Sequence, residues 1–166
     1  MNKPMKKITT VAILIMLSVA GFSFIIRPKA DEMVPYPEGF RKWTHIKTGL
    51  IGPNSPAFKT TGGFHHIYAN DKAMQGYTTG YFPQGSIVVF DVIDGVEADG
   101  STAEGKRNHV DVMMKDSLRY PATGGWGFEE FKGSSKTERL LTETVRTACF
   151  NCHTKQGDYI FSVLRD

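Results

Sequence analysis

Ser86-Ile87-Val88-Val89-Phe90-Asp91-Val92-Ile93-Asp94-Gly95-Val96 decides the fold class of this chain. β-branched and aromatic residues dominate it, the composition that suits a pleated, largely buried surface. It predicts a strand, and the flanking sequence repeats the signal. Phe64 to Tyr68 alternates, with Phe64, His66 and Tyr68 on one face and His65 and Ile67 on the other. His109 to Met114 alternates in the same way. Gly124 to Phe131 sets Trp126, Phe128 and Glu130 against Gly125, Gly127 and Glu129, with close backbone contact at the glycines. Phe40 to Gly49 reads as a short turn entering a strand. Ala98 to Gly105 reads as a polar loop, and Gly52 to Pro56 and Gly80 to Gly85 as turns.

Helical signals are fewer. Asn70 to Gln75 predicts a short helix or turn that Asn70 or Asp71 can cap. Thr137 to Ala148 carries Leu140, Leu141, Thr144 and Val145 at helical spacing and predicts the main helix. Asp158 to Leu164 reads as a short closing strand or helix. The expected fold is therefore α+β, mainly antiparallel sheet, with a few helices.

The 166 residues suit one domain once the N-terminus is set aside. A net charge of +3 is too small to argue for nucleic acid. Lys3, Lys6 and Lys7 precede a charge-free, mostly apolar run from Ile8 to Ile26. Residues 1–26 read as a signal peptide, with Ser18-Val19-Ala20 offering small residues for cleavage. The run is also about long enough to span a bilayer, so an inner-membrane anchor with its lysines in the cytoplasm is the rival. Both readings export the remainder, to the periplasm in a bacterial cell. Residues 27–39, with Pro28, Pro35 and Pro37, form an extended linker, and 40–166 form the exported domain.

The predicted main helix delivers Cys149-Phe150-Asn151-Cys152-His153, which holds both cysteines of the chain. Cys-x-x-Cys-His is the attachment signature of c-type haem. Two intervening residues let both thiols reach the two porphyrin vinyl groups, and the next histidine is held where its imidazole can bind iron. The rival chemistries fit less well. A dithiol redox pair wants a thioredoxin-like βαβ context and has no need of His153. A structural zinc site wants a fourth ligand, and no other cysteine exists. A disulfide across so short a loop would be strained. Cys149 and Cys152 are thus expected to hold one covalent haem c, with His153 as axial iron ligand. No methionine follows His153, unlike the small helical electron carriers.

The sequence resembles the cytochrome P-460 and cytochrome c′-beta family. The resemblance rests on Phe40-Arg41-Lys42-Trp43, His109 to Asp116, Thr123-Gly124-Gly125-Trp126-Gly127-Phe128, and Ala148 to His153 with Asp158-Tyr159-Ile160-Phe161. It implies an antiparallel sheet with a few helices, a homodimer, one haem c bound by His153, and an open distal side lined by apolar groups. P-460 members carry a lysine bonded to the porphyrin and oxidise hydroxylamine; c′-beta members lack it and bind gases such as nitric oxide. The cross-linking lysine should fall near Tyr77-Thr78-Thr79, where this chain has none. Lys59 and Lys72 are the nearest and read as ordinary surface lysines.

The functional expectation is a five-coordinate haem protein that binds or converts small nitrogen oxides, nitric oxide or hydroxylamine. The alternative is a periplasmic electron-transfer cytochrome, with an electron-transfer partner and a second axial ligand from His65, His66 or Met74. A sensor or storage protein would need the same open site. Phe58, Phe82 and His65 are candidates for the distal pocket, with Phe64 and His66 beside them. Glu129 and Glu130 read as a solvated strand face, with a carboxylate supporting the site or a proton relay as the alternative. Trp43 and Trp126 read as core or dimer-interface residues.

Overall fold

A computed structural model describes residues 33–56 and 58–165. The segment 1–26 and the first part of the linker lie outside the described residues. Five strands form one antiparallel sheet in chain order: β1 Thr44–Ile51, β2 Gly63–Ala69, β3 Ile87–Ala98, β4 Ser101–Lys115 and β5 Trp126–Lys132. Three α-helical segments flank it: α1 Phe58–Thr61, α2 Asp71–Thr79 and α3 Glu143–His153. The α+β expectation holds.

Period-two alternation buries both faces of the sheet. Ile67, Val88, Trp126 and Phe128 form one cluster, with α2 and α3 packed over it. Tyr68, Val89, Val110, Val112 and Phe131 form the other, closed by Phe40 and Val34. Val34 is 2% exposed, so the chain already packs on the core before residue 40. Both tryptophans join these clusters, Trp126 fully buried and Trp43 at the margin.

Ala98 to Gly105 is not a loop. Strands β3 and β4 stay paired as far as Ala98 and Ser101. The turn is Asp99-Gly100, with φ of 51° and 77°. Asp-Gly tolerates the two left-handed positions that match strand twist. The stretch reads as a loop because this part of the ribbon is exposed on both faces, which removes the apolar alternation.

The main helix also begins later than its pattern suggests. Residues 138–140 run beside β5: Lys132 N–H donates to the Glu138 carbonyl at 3.0 Å and Leu140 N–H to that of Glu130 at 2.9 Å. The Thr142 side chain then caps α3. Pairing with the β5 edge outcompetes helical spacing at Leu140 and Leu141. Helix α2, in contrast, runs beyond Gln75 to Thr79, with Asn70 as its cap. Residues 158–164 are neither strand nor α-helix: a 3₁₀ turn at Gly157–Tyr159 leads into an irregular tail.

Glu129 is a further correction. It is 1% exposed, and its carboxylate sits 2.8 Å from Arg139 and 3.0 Å from Arg146. Two guanidiniums make burial of that charge tolerable.

Candidate haem site

Helix α3 sets Cys149, Cys152 and His153 at i, i+3 and i+4, so the three project from one side of its last turns. Both thiols are free, Cys149 half-buried and Cys152 exposed. Burial pushes the Cys149 thiol up, reinforced by the nearby Asp111 and Glu130 carboxylates. Cys149 and His153 line a cavity of about 620 Å³ between the sheet and α3. That volume lies within the roughly 300–1,000 Å³ common for cofactor sites. Phe90, Met113, Phe128, Ile67 and Leu141 give it apolar walls.

His153 is held firmly. Its Nδ1–H donates to the Tyr159 carbonyl oxygen at 2.6 Å. That bond fixes the tautomer and leaves the Nε2 lone pair to bind a metal. Phe128 and Phe161 pack on the ring at centroid distances of 5.3 and 4.9 Å. Two free thiols at the attachment spacing, an imidazole with Nε2 presented, and an apolar cavity beside them fit a c-type haem.

One stretch of the cavity wall is polar. Asp111 and Glu130 are register partners on β4 and β5, and His109 lies two residues along β4 on the same face. Their ligand-capable atoms all lie within 4.8 Å of one another. Burial alone would lower the His109 pKa; the Asp111 carboxylate 3.4 Å away, with Glu130 and Asp91 adding to it, leaves it raised. Burial raises Glu130, and Asp111 raises it further. Both shifts favour the protonated forms of His109 and Glu130.

From the sequence, His109 falls in a stretch shared with the family and Glu130 reads as a solvated residue. The usable signal was alternation, which puts His109, Asp111 and Glu130 on the Trp126–Phe128 face once β4 and β5 are paired.

The other expected residues are scattered. His65 is buried on the cavity face of β2, against Phe90 at 4.6 Å, with Nε2 bonded to the Thr61 carbonyl. Burial lowers its pKa. His66 points to the opposite face, 2.8 Å from Glu104. Phe82 is in the core, edge-on to Trp126 and Tyr77, and does not line the cavity. Phe58 is 41% exposed on α1. Met74 packs at the margin of the α2 cluster. Thr78 and Thr79 are exposed and bond back to the α2 carbonyls of Met74 and Gln75. Among the described residues lining the cavity there is no lysine.

A five-stranded antiparallel sheet with a Cys-x-x-Cys-His helix closing a cavity over one face defines a c-type haem protein. The Cytochrome P460 family model matches residues 37–162, and the chain belongs to that family. The family is generally linked to nitrogen-oxide or hydroxylamine chemistry. No curated protein matches the chain.

Proposed function

We propose that this chain is an exported monohaem c-type protein that keeps one iron position open for a small nitrogen oxide such as nitric oxide. The observation that carries the reading is the cavity wall. It opposes apolar side chains and a paired His109–Asp111–Glu130 cluster to a single well-oriented ligand, His153. Cys149 and Cys152 would hold the haem covalently, and His153 would bind its iron. Bound haem supplies an open iron position for a small ligand. Phe90, Met113 and Phe128 would present apolar surface to that space. His109 holds a proton shared with Asp111, within reach of a polar ligand in the cavity.

The electron-transfer alternative has one observation in its favour: His109 itself lines the cavity. The Asp111 contact favours the protonated imidazole, and that form has no lone pair for iron. Thr78 and Thr79 stand where the family's cross-linking lysine is expected, and this favours a ligand binder over a hydroxylamine oxidase. Export to the periplasm by a cleaved signal peptide or anchor, and assembly as a homodimer, complete the proposal.

Optical spectra of the ferrous protein with and without nitric oxide test it. A high-spin, five-coordinate spectrum that changes on adding nitric oxide is expected. A low-spin spectrum without ligand, lost in His109→Ala, would establish the electron-carrier reading instead.

A further inference from the structure

The segment after the haem motif is held in an uncommon conformation. Asp158 and Tyr159 both have left-handed backbones, with φ of 41° and 65°. Non-glycine residues adopt this region only where surrounding structure over-determines it. Here the surroundings converge on one carboxylate. Lys115 Nζ, at the end of β4, donates to Asp158 Oδ1 at 2.7 Å, and Trp126 Nε1 donates to the same oxygen at 3.2 Å. The Phe82 backbone N–H donates to Oδ2 at 2.8 Å. Lys115 is 6% exposed, bonds the Gly124 carbonyl at 3.2 Å and lies 4.9 Å from the centre of the Trp126 ring. Asp158 is thus tied to β4, to β5 and to the segment after α2.

The next residue along is Tyr159, whose carbonyl oxygen accepts the His153 Nδ1–H bond. Its ring stacks on Phe150, 5.7 Å away. It also covers Gly124, where an added Cβ would lie 2.2 Å from the Tyr159 hydroxyl. Asp158 thus anchors the backbone immediately before the carbonyl that meets His153.

We propose that Asp158, locked by Lys115 and Trp126, is a positioning residue for His153. It turns the Tyr159 carbonyl onto Nδ1 and so sets the orientation and basicity of the iron ligand. A hydrogen bond at the outer nitrogen raises the donor strength of an imidazole. Stronger donation favours ferric over ferrous iron. Loosening the lock should therefore raise the haem potential and weaken the iron–histidine bond. The inference rests on the assignment of His153 as iron ligand.

The test uses the haem-loaded full chain. The midpoint potential, the ferrous iron–histidine stretch and the melting temperature are measured for wild type, Asp158→Ala, Asp158→Asn and Lys115→Met. His153→Ala and Asn70→Ala serve as controls. Asp158→Ala is expected to shift the ferric/ferrous equilibrium about tenfold towards ferrous, or about 59 mV upward for one electron. Its iron–histidine stretch should move to lower frequency. Asp158→Asn keeps one acceptor oxygen and should shift both readouts less. Asn70→Ala should lower the melting temperature and leave both unchanged. If Asp158→Ala does not accumulate, Lys115→Met carries the same expectation in direction. A lowered melting temperature with unmoved potential and stretch in both variants would overturn the positioning role. A wild-type stretch that survives in His153→Ala would overturn the ligand assignment instead.

Discussion

Arg146 of α3 and Glu129 of β5 are joined at 3.0 Å, and the carboxylate of that pair is fully buried. Arg146 also donates to the Phe128 carbonyl at 3.1 Å, so the helix carrying the haem motif is pinned to the strand lining its cavity. Arg139 completes the arrangement, donating to Glu129 at 2.8 Å and to the Val34 carbonyl at 2.7 Å. Glu129→Ala removes the common partner of two guanidiniums. Breaking a buried ion pair costs about 3–5 kcal/mol, and these arginines are partly solvated, so about 3 kcal/mol is expected. Chemical denaturation of the two proteins measures it. A loss under about 1 kcal/mol, the worth of a surface pair, would show that the carboxylate does not hold α3.

Covalent attachment gives a direct expectation. Cys149→Ala should leave one thioether and reduced haem retention, while loss of both cysteines should abolish covalent haem. Mass spectrometry of the denatured chains, expressed with the maturation machinery, reads the added mass. A wild-type chain without added mass would refute the haem assignment outright.

Peptide mapping of haem-bearing fragments should find only the cysteine attachments. Thr78 and Thr79 are exposed and bonded back to α2 carbonyls, and Lys72 lies alongside Gly85. An ordinary c-type spectrum and little hydroxylamine oxidation should accompany this. Lys59 or Lys72 recovered on the porphyrin would restore the enzyme reading.

Asn70 should matter more than an average helix cap. Its Oδ1 accepts from Ala73 N at 2.9 Å and Ile87 N at 3.0 Å, while Nδ2 donates to the Gly85 carbonyl at 3.0 Å. One side chain thus caps α2 and fixes the entry to β3. Asn70→Ala is expected to cost about 2 kcal/mol, the upper end for a lost cap. Thermal melting checks the sign and urea titration the size.

The polar patch predicts a pH dependence of stability. The folded-state pKa of His109 is raised, by Asp111 against the opposing effect of burial, with Glu130 and Asp91 adding to it. Its contribution is complete below about pH 6.5, the unfolded value, and is lost as pH rises through the folded pKa. Glu130, raised first by burial and then by Asp111, acts in the same direction from about pH 4.3 upward. Stability should fall as pH rises above about 6.5, and His109→Gln should flatten that fall. Equal slopes in the two proteins would mean that His109 does not carry the effect.

The sequence by itself determined whatever depends on neighbours along the chain. The alternation at Phe64–Tyr68 and Trp126–Phe131 assigned strands and faces, because successive side chains of a strand must point opposite ways. The spacing of Cys149, Cys152 and His153 carries the attachment signature of c-type haem, because that signature is a local geometric demand. Tertiary structure decided the rest. Glu129 reads as a solvent residue until Arg139 and Arg146 arrive beside it. Leu140 and Leu141 read as helix until the edge of β5 claims the backbone at 138–140. The cavity needs strand pairing to bring Asp111 to Glu130 and helix packing to bring His153 to Phe128. Lys115 and Asp158 are 43 residues apart, and nothing local to either announces the other. Their pairing is a consequence of closing the chain over the sheet, which brings the end of β4 against the segment after α3.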